Sequence, residues 1–256
     1  MRVSFARVVH AEWGKLAALR STWVVFVVAA LITAGLAGVI NWNVYRQPGA
    51  EVSAGTLVAQ AFLGVDVISI ILGVFGILLI TGEYGSGLIR ATFAAVPRRT
   101  PVLWAKALAL TAAAIPVMVV VCAASLAVAM LFVPGGQRLG FGDLPAHALP
   151  GAAAAPVALA LIGLGFGALL RHTAAAITVY VLVMLVLPAL IQPALPQSVA
   201  DDVLRYVPIA AAQAMYSVEG GNPFQMLGPG PAALTTAGWV LLALGAGAVV
   251  VRRRDP

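Results

Sequence analysis

The chain has 256 residues, of which 62% are hydrophobic and 9% charged, with a formal net charge of +6. Ordinary soluble domains carry about 25% charged residues, so there is too little polar surface here to cover a water-soluble core of this size. The single cysteine, Cys122, excludes an intrachain disulfide and a thiolate metal cluster.

Residues 1–21 are helical in pattern. At 100° per residue Phe5, Val8, Val9, Trp13, Leu16 and Leu19 fall on one face, with Arg7 and His10 opposite. Such a helix lies in a membrane interface with its apolar face in the acyl boundary. Glu12 intrudes on that face. It either snorkels or pairs with Lys15 or Arg20, or it makes a buried contact to a neighbouring loop.

Beyond this helix the charges gather into islands separated by six long gaps, and a spanning helix needs about 20 apolar residues. The gaps predict spans at about residues 22–40, 56–81, 101–133, 149–170, 173–191 and 231–251. Long unbroken runs favour helices over a barrel, whose strands alternate in polarity over about ten residues. The first run exceeds the apolar core of a signal peptide, about 7–15 residues, and reads as an anchor.

Between the spans, residues 41–55 and 134–148 form short loops. Residues 192–230 form a long one, broken by Pro193, Pro196, Pro208, Pro223, Pro229 and Pro231. Within it SVADDVLRYVPIAAAQAMYSV predicts one or two short helices dipping into the interface. Small residues cluster in the spans at Gly35 and Gly38, Gly73 and Gly76, Gly163, Gly165 and Gly167, and Gly245 and Gly247; close helix packing explains them. No internal repeat of the kind that marks an inverted-repeat transporter is visible.

Six spans put both termini on one side. That side holds twelve of the fifteen Lys and Arg residues, and only Arg46, Arg138 and Arg205 lie opposite. Basic residues near span ends stay in the cytoplasm, which predicts cytoplasmic termini. The positive charge is thus an orientation signal and not a nucleic-acid footprint.

Catalytic chemistry finds no foothold. His10, His147 and His172 lie on different segments and two faces, which argues against a shared metal site. Ser69 and Ser125 have no histidine at their depth, and no GxxxxGK[ST] loop is present. Asp66 is the one ionisable residue deep in a span, roughly 15 Å from its outer end at 1.5 Å per residue. It reads either as part of a transport path or as a structural carboxylate facing a neighbouring helix or outer water.

The second connector, residues 82–100, is the densest polar segment. Residues 82–87 predict a glycine-hinged exit from the second span, residues 88–96 a short helix with Arg90 exposed, and Pro97 its stop. Arg98, Arg99 and Lys106 lead back to the membrane. The element either fits a cleft on a cytosolic partner or is a positive-inside loop without one.

GEYGSGLIRATFAAVPRRTPVLWAKAL resembles the connector of bacterial ABC-2 type transporter permeases, in which Glu-Tyr, Thr/Leu-Ile-Arg, Ala-x-Pro-x-Arg and Ala-Lys recur in this order. HAEWGKLAALRSTW is similar to the family's N-terminal elbow, Glu-x-x-Lys-Leu-x-x-x-Arg-Ser, and VLRYVPIAAAQAM to its outer segment before the last span. The sequence departs from the pattern at Gly85, where a basic residue is often found, and at Leu88, where Thr is common. The resemblance implies an all-α, six-span membrane subunit without cofactor or catalytic centre, in a bacterial cell membrane. It would dimerise with itself or a related permease, recruit two copies of a separate ATPase subunit and export a substrate. By position Glu83, Tyr84, Ile89, Arg90, Thr92, Pro97 and Arg98 would form the ATPase-coupling element, and Trp13, Lys15 and Arg20 would belong to the elbow. The rival expectations are a carrier or channel that works alone through Asp66, and a membrane scaffold or sensor.

Overall fold

A computed structural model describes residues 4–47, 52–134, 141–218 and 227–253. Arg2, Arg138 and Arg254, counted above for orientation, and Pro223 of the long loop lie outside these residues. The described residues contain helices and no strand. In chain order the helices are α1 (Phe5–Ala18), α2 (Arg20–Tyr45), α3 (Ala54–Gly85), α4 (Leu88–Ala95), α5 (Thr100–Leu131) and α6 (Ala148–Leu170). They are followed by α7 (Thr173–Val181), a π turn (Leu182–Val186), α8 (Leu187–Ala194), α9 (Gln197–Leu204), α10 (Pro208–Ala214) and α11 (Pro229–Arg253).

Six helices are long and apolar enough to cross a membrane: α2, α3, α5, α6, the continuous Thr173–Ala194 and α11. Six such helices fit a multi-pass membrane protein. The spans coincide with the charge gaps, but several helices run past the apolar stretch. Residues 41–45, expected in a loop, complete α2, because polar side chains at a helix end do not interrupt its backbone ladder. Residues 82–85, expected as a hinged exit, complete α3; the turn is made at Gly87 alone, whose φ of 74° suits glycine. Pro193, Pro229 and Pro231 sit within helices and do not break the loop; the last two lie in the first turn of α11, where a missing N–H costs nothing.

α1 ends one residue before α2, and the extended backbone of Leu19 makes the corner. Thr22 donates to Leu16 O at 2.8 Å and Trp23 Nε1 to Ala17 O at 3.2 Å. Trp23 thus satisfies a carbonyl left open at the end of α1, and Thr22 adds a second donor to Leu16 O, which already accepts the Leu19 N–H, so the corner is fixed. Arg20, expected in the elbow helix, is instead the first residue of α2.

The core is the α3–α6 pair, around which α2, α5, α7 and α11 are arranged. A Cβ on Gly163 would lie 2.0 Å from Gly73 O, and one on Gly76 2.0 Å from Ala160 O. Backbone therefore packs on backbone, and no side chain fits between. Gly165, Gly167 and Gly247 are similarly tight, whereas Gly35 and Gly245 meet nothing within 4 Å and are not packing glycines. On the other side of α3, the buried hydroxyl of Ser125 in α5 donates to Ala61 O at 2.6 Å, with Thr33 O of α2 at 3.1 Å.

Candidate functional site

At the end of the bundle that carries α4, four charged side chains from three helices close a ring. Glu12 Oε1 accepts from Lys15 Nζ at 2.6 Å and Glu12 Oε2 from Lys106 Nζ at 2.5 Å. Glu83 Oε1 accepts from Lys106 Nζ at 2.8 Å and from Lys15 Nζ at 3.1 Å. The ring is neutral and deep: Glu12 is 3% exposed and Lys106 6%. Buried charges persist only when paired and hydrogen-bonded, and here each finds two opposite partners. The ring joins α1 to α3 and α5, and Lys15 also donates to Thr92 Oγ1 of α4 at 3.3 Å.

Glu12 thus does both things expected of it. It pairs with Lys15, and it makes a buried contact, though to Lys106 in the second turn of α5 and not to a loop. The inward stripe of α1 is Val8, Glu12 and Leu16, spaced four residues apart, while Phe5, Trp13 and Leu19 are exposed. The apolar face read from the sequence is therefore split in two, because the ring pins Glu12 and not Trp13 towards the bundle. Burial pulls the Lys15 ammonium towards the neutral form, but its hydrogen bond to Glu12 and the charges of Glu12 and Glu83 outweigh that, leaving its pKa raised.

α4 is as the sequence predicts, a short helix stopped before Pro97. Ile89 and Phe93 turn inward and are buried, whereas Arg90, Pro97 and Arg98 are exposed. Arg99 lies over the Phe93 ring at 5.6 Å. Of the residues assigned by resemblance to the coupling element, Glu83 and Thr92 therefore meet Lys15 of the elbow, and only Arg90, Pro97 and Arg98 face outward.

Tyr84 belongs to a second contact. Arg171, at the end of α6, lies over its ring at 5.2 Å and donates from Nη2 to Val250 O of α11 at 2.8 Å. Arg171 is the one non-glycine with positive φ among the described residues, a conformation that side chains tolerate poorly.

Asp66 lies apart, about 25 Å along α3 from Glu83 by helix rise. Its Oδ1 accepts a short hydrogen bond from the Tyr216 hydroxyl, which follows α10. Tyr216 is buried and stacks edge-on against Phe62 with ring centroids 5.9 Å apart. The chain end of α10 is held against α6 as well, since a Cβ on Gly151 would meet Met215 O at 2.2 Å.

The ring and Asp66–Tyr216 join residues up to 94 and 150 positions apart. Sequence reasoning offered the Glu12–Lys15 pair but missed the partners on other elements, Lys106 and Glu83 in the ring and Tyr216 at Asp66. For the ring the signal was present: Glu12 on an apolar face, and Lys106 inside the apolar run VLWAKALAL. The histidines remain separate: His147 Nε2 contacts Ser217 O at 3.2 Å, and His172 Nδ1 caps α7 by accepting from Ala175 N at 3.3 Å. No group of three or more metal-ligating side chains exists among the described residues. No protein-family model matches the chain, and neither does any curated protein.

Proposed function

We propose that the chain is the membrane-spanning permease subunit of an ATP-driven exporter of the ABC-2 type. In this reading it forms the substrate path with a second copy or a related permease, and ATP is hydrolysed by two copies of a separate subunit. The observation that carries the proposal is α4 with its support. A short helix between two spans turns Ile89 and Phe93 into the protein, presents Arg90 and Arg98 to the outside, and is tied through Thr92 and Lys15 to the charge ring. A motor docking on α4 would move α1, α3 and α5 together. The positive-inside asymmetry supports a reading with α4 and both termini on the cytoplasmic side, and the family resemblance implies a bacterial cell membrane. The exposed Phe5 and Trp13 then suit α1 to the lipid interface.

The test is co-purification with the P-loop ATPase encoded nearest to this gene. A complex that hydrolyses ATP, lost or uncoupled in Arg90→Ala but not in a surface control, supports the reading. Glu83→Ala should lower the stability of the permease itself, because Glu83 belongs to the ring. Failure of any ATPase to bind, with solute still carried into liposomes by a proton gradient, would move the assignment to a stand-alone carrier. The hydrogen-bonded Asp66–Tyr216 pair in the membrane region is the specific observation behind that second reading.

A further inference from the structure

The end of the bundle opposite α4 contains a cavity of about 290 Å³. The π turn and α8 form one wall with Met184, Pro188 and Ala189, and α9 and α10 form the other with Leu204, Ile209 and Gln213. Its volume is at the lower bound of small-molecule pockets, about 300–1,000 Å³. A π turn within an α-helix recurs at functional sites, and this one has a visible effect. α7 and the π turn bury Ala176, Tyr180 and Met184 at four-residue intervals, whereas α8 buries no residue. The chain leaves the bundle after the π turn, and the cavity opens behind it.

Two charged side chains line this cavity, Asp201 of α9 and Arg205 directly after that helix, one turn apart. They do not pair with each other. Arg205 Nη2 bonds Asp202 Oδ1 at 2.7 Å, and its guanidinium lies over the Tyr206 ring at 5.2 Å. The Asp201 carboxylate has no ion pair or side-chain hydrogen bond among the described residues, although it is half-buried. At the floor, Gln213 lies against the carboxylate of Asp66. Asp202, outside the cavity, pairs with Arg205, so Asp201 is the carboxylate that faces the cavity with no ion pair among the described residues. A carboxylate beside apolar walls attracts a cation more strongly than one in open water.

We infer that this cavity is a binding site for a small hydrophobic organic cation, an ammonium whose charged head rests against Asp201 and whose apolar substituents lie against the π turn and α8. The inference does not depend on the permease reading. It is tested by titrating benzyltrimethylammonium into the purified full-length chain in nanodiscs, with benzoate as the anionic control, by calorimetry. Saturable binding of the cation and none of benzoate is expected. Asp201→Asn should weaken the cation at least tenfold. Arg205→Gln, which removes the cavity's own cation, should tighten it, a sign that a merely structural role for α9 would not produce. Ala189→Phe fills the space and leaves every charge in place, so it should abolish binding, and it decides the matter if Asp201→Asn fails to fold. Equal binding of cation and benzoate, unchanged affinity in Asp201→Asn or Ala189→Phe, or no saturable binding up to millimolar cation would overturn the assignment.

Discussion

The two ends of the bundle treat charge in opposite ways. At the α4 end Glu12, Lys15, Glu83 and Lys106 neutralise one another in a closed ring. Towards the far end Asp66 is held by a neutral phenol, and Asp201 lines its cavity with no ion pair among the described residues. A closed ring resists change, since any displacement of α1, α3 or α5 stretches several ion pairs at once. An open arrangement leaves electrostatic attraction available for something that comes and goes. On the two proposals made above, the difference would separate a part that transmits movement from a part that binds.

The comparison is broken most severely at Lys106. Lys106→Met leaves the deeply buried Glu12 with Lys15 alone, and we expect a loss of about 3 kcal/mol, the lower end for breaking a buried ion pair, read as thermal unfolding of the detergent-solubilised protein. The double variant Glu12→Gln/Lys106→Met should regain most of that loss, because both buried charges then leave together. If the double variant is no better than the single one, the ring is not the source of the stability.

A smaller effect is expected at the far end. Tyr216→Phe removes one hydrogen bond to a carboxylate, about 1.5–3 kcal/mol. Hydrogen exchange should quicken at the amides of α10 and leave α1 and α4 unchanged. Acceleration at both ends would mean that the two regions open as one unit.

The smallest effect is the pH response of Lys15. Its pKa is raised above the ordinary value of 10.5, so its stabilising share is complete below the unfolded pKa and is lost as the pH rises through the higher folded value. Partial exposure keeps that share within about 1 kcal/mol. The gap in melting temperature between wild type and Lys15→Met should be constant from neutral pH to about 10 and shrink above that. A gap that is already closing at neutral pH would contradict the ring geometry.

The number and order of the spans were legible because each is a charge-free interval long enough to cross a bilayer, and α4 because Gly87 and Pro97 bracket it. Helix ends were less legible, since Asn41 and Tyr45 look like loop residues in a sequence yet continue a backbone ladder that needs no apolar side chain. The π turn was hidden, because LVMLV is apolar in any periodicity. The partners of Glu12 and Asp66 were hidden for another reason: nothing local to either residue names a side chain on another helix. Trp13 shows the cost of a purely periodic reading, which ranked it with Leu16 when one buried carboxylate had already decided how α1 turns.

The lengths of α3 and α5 have a consequence of their own. Each has 32 residues, about 48 Å at 1.5 Å per residue, against a hydrocarbon layer of about 30 Å. Standing upright, they overshoot that layer by about 18 Å. Glu83 is two residues from the end of α3, and Lys106 is six from the start of α5. In the proposed reading, an overhang at that end would form a stalk holding the ionic ring at the edge of the lipid tails. The membrane would then be spared most of the cost of those four charges, and a motor acting on α4 would push on a rigid lever that runs on into the bilayer.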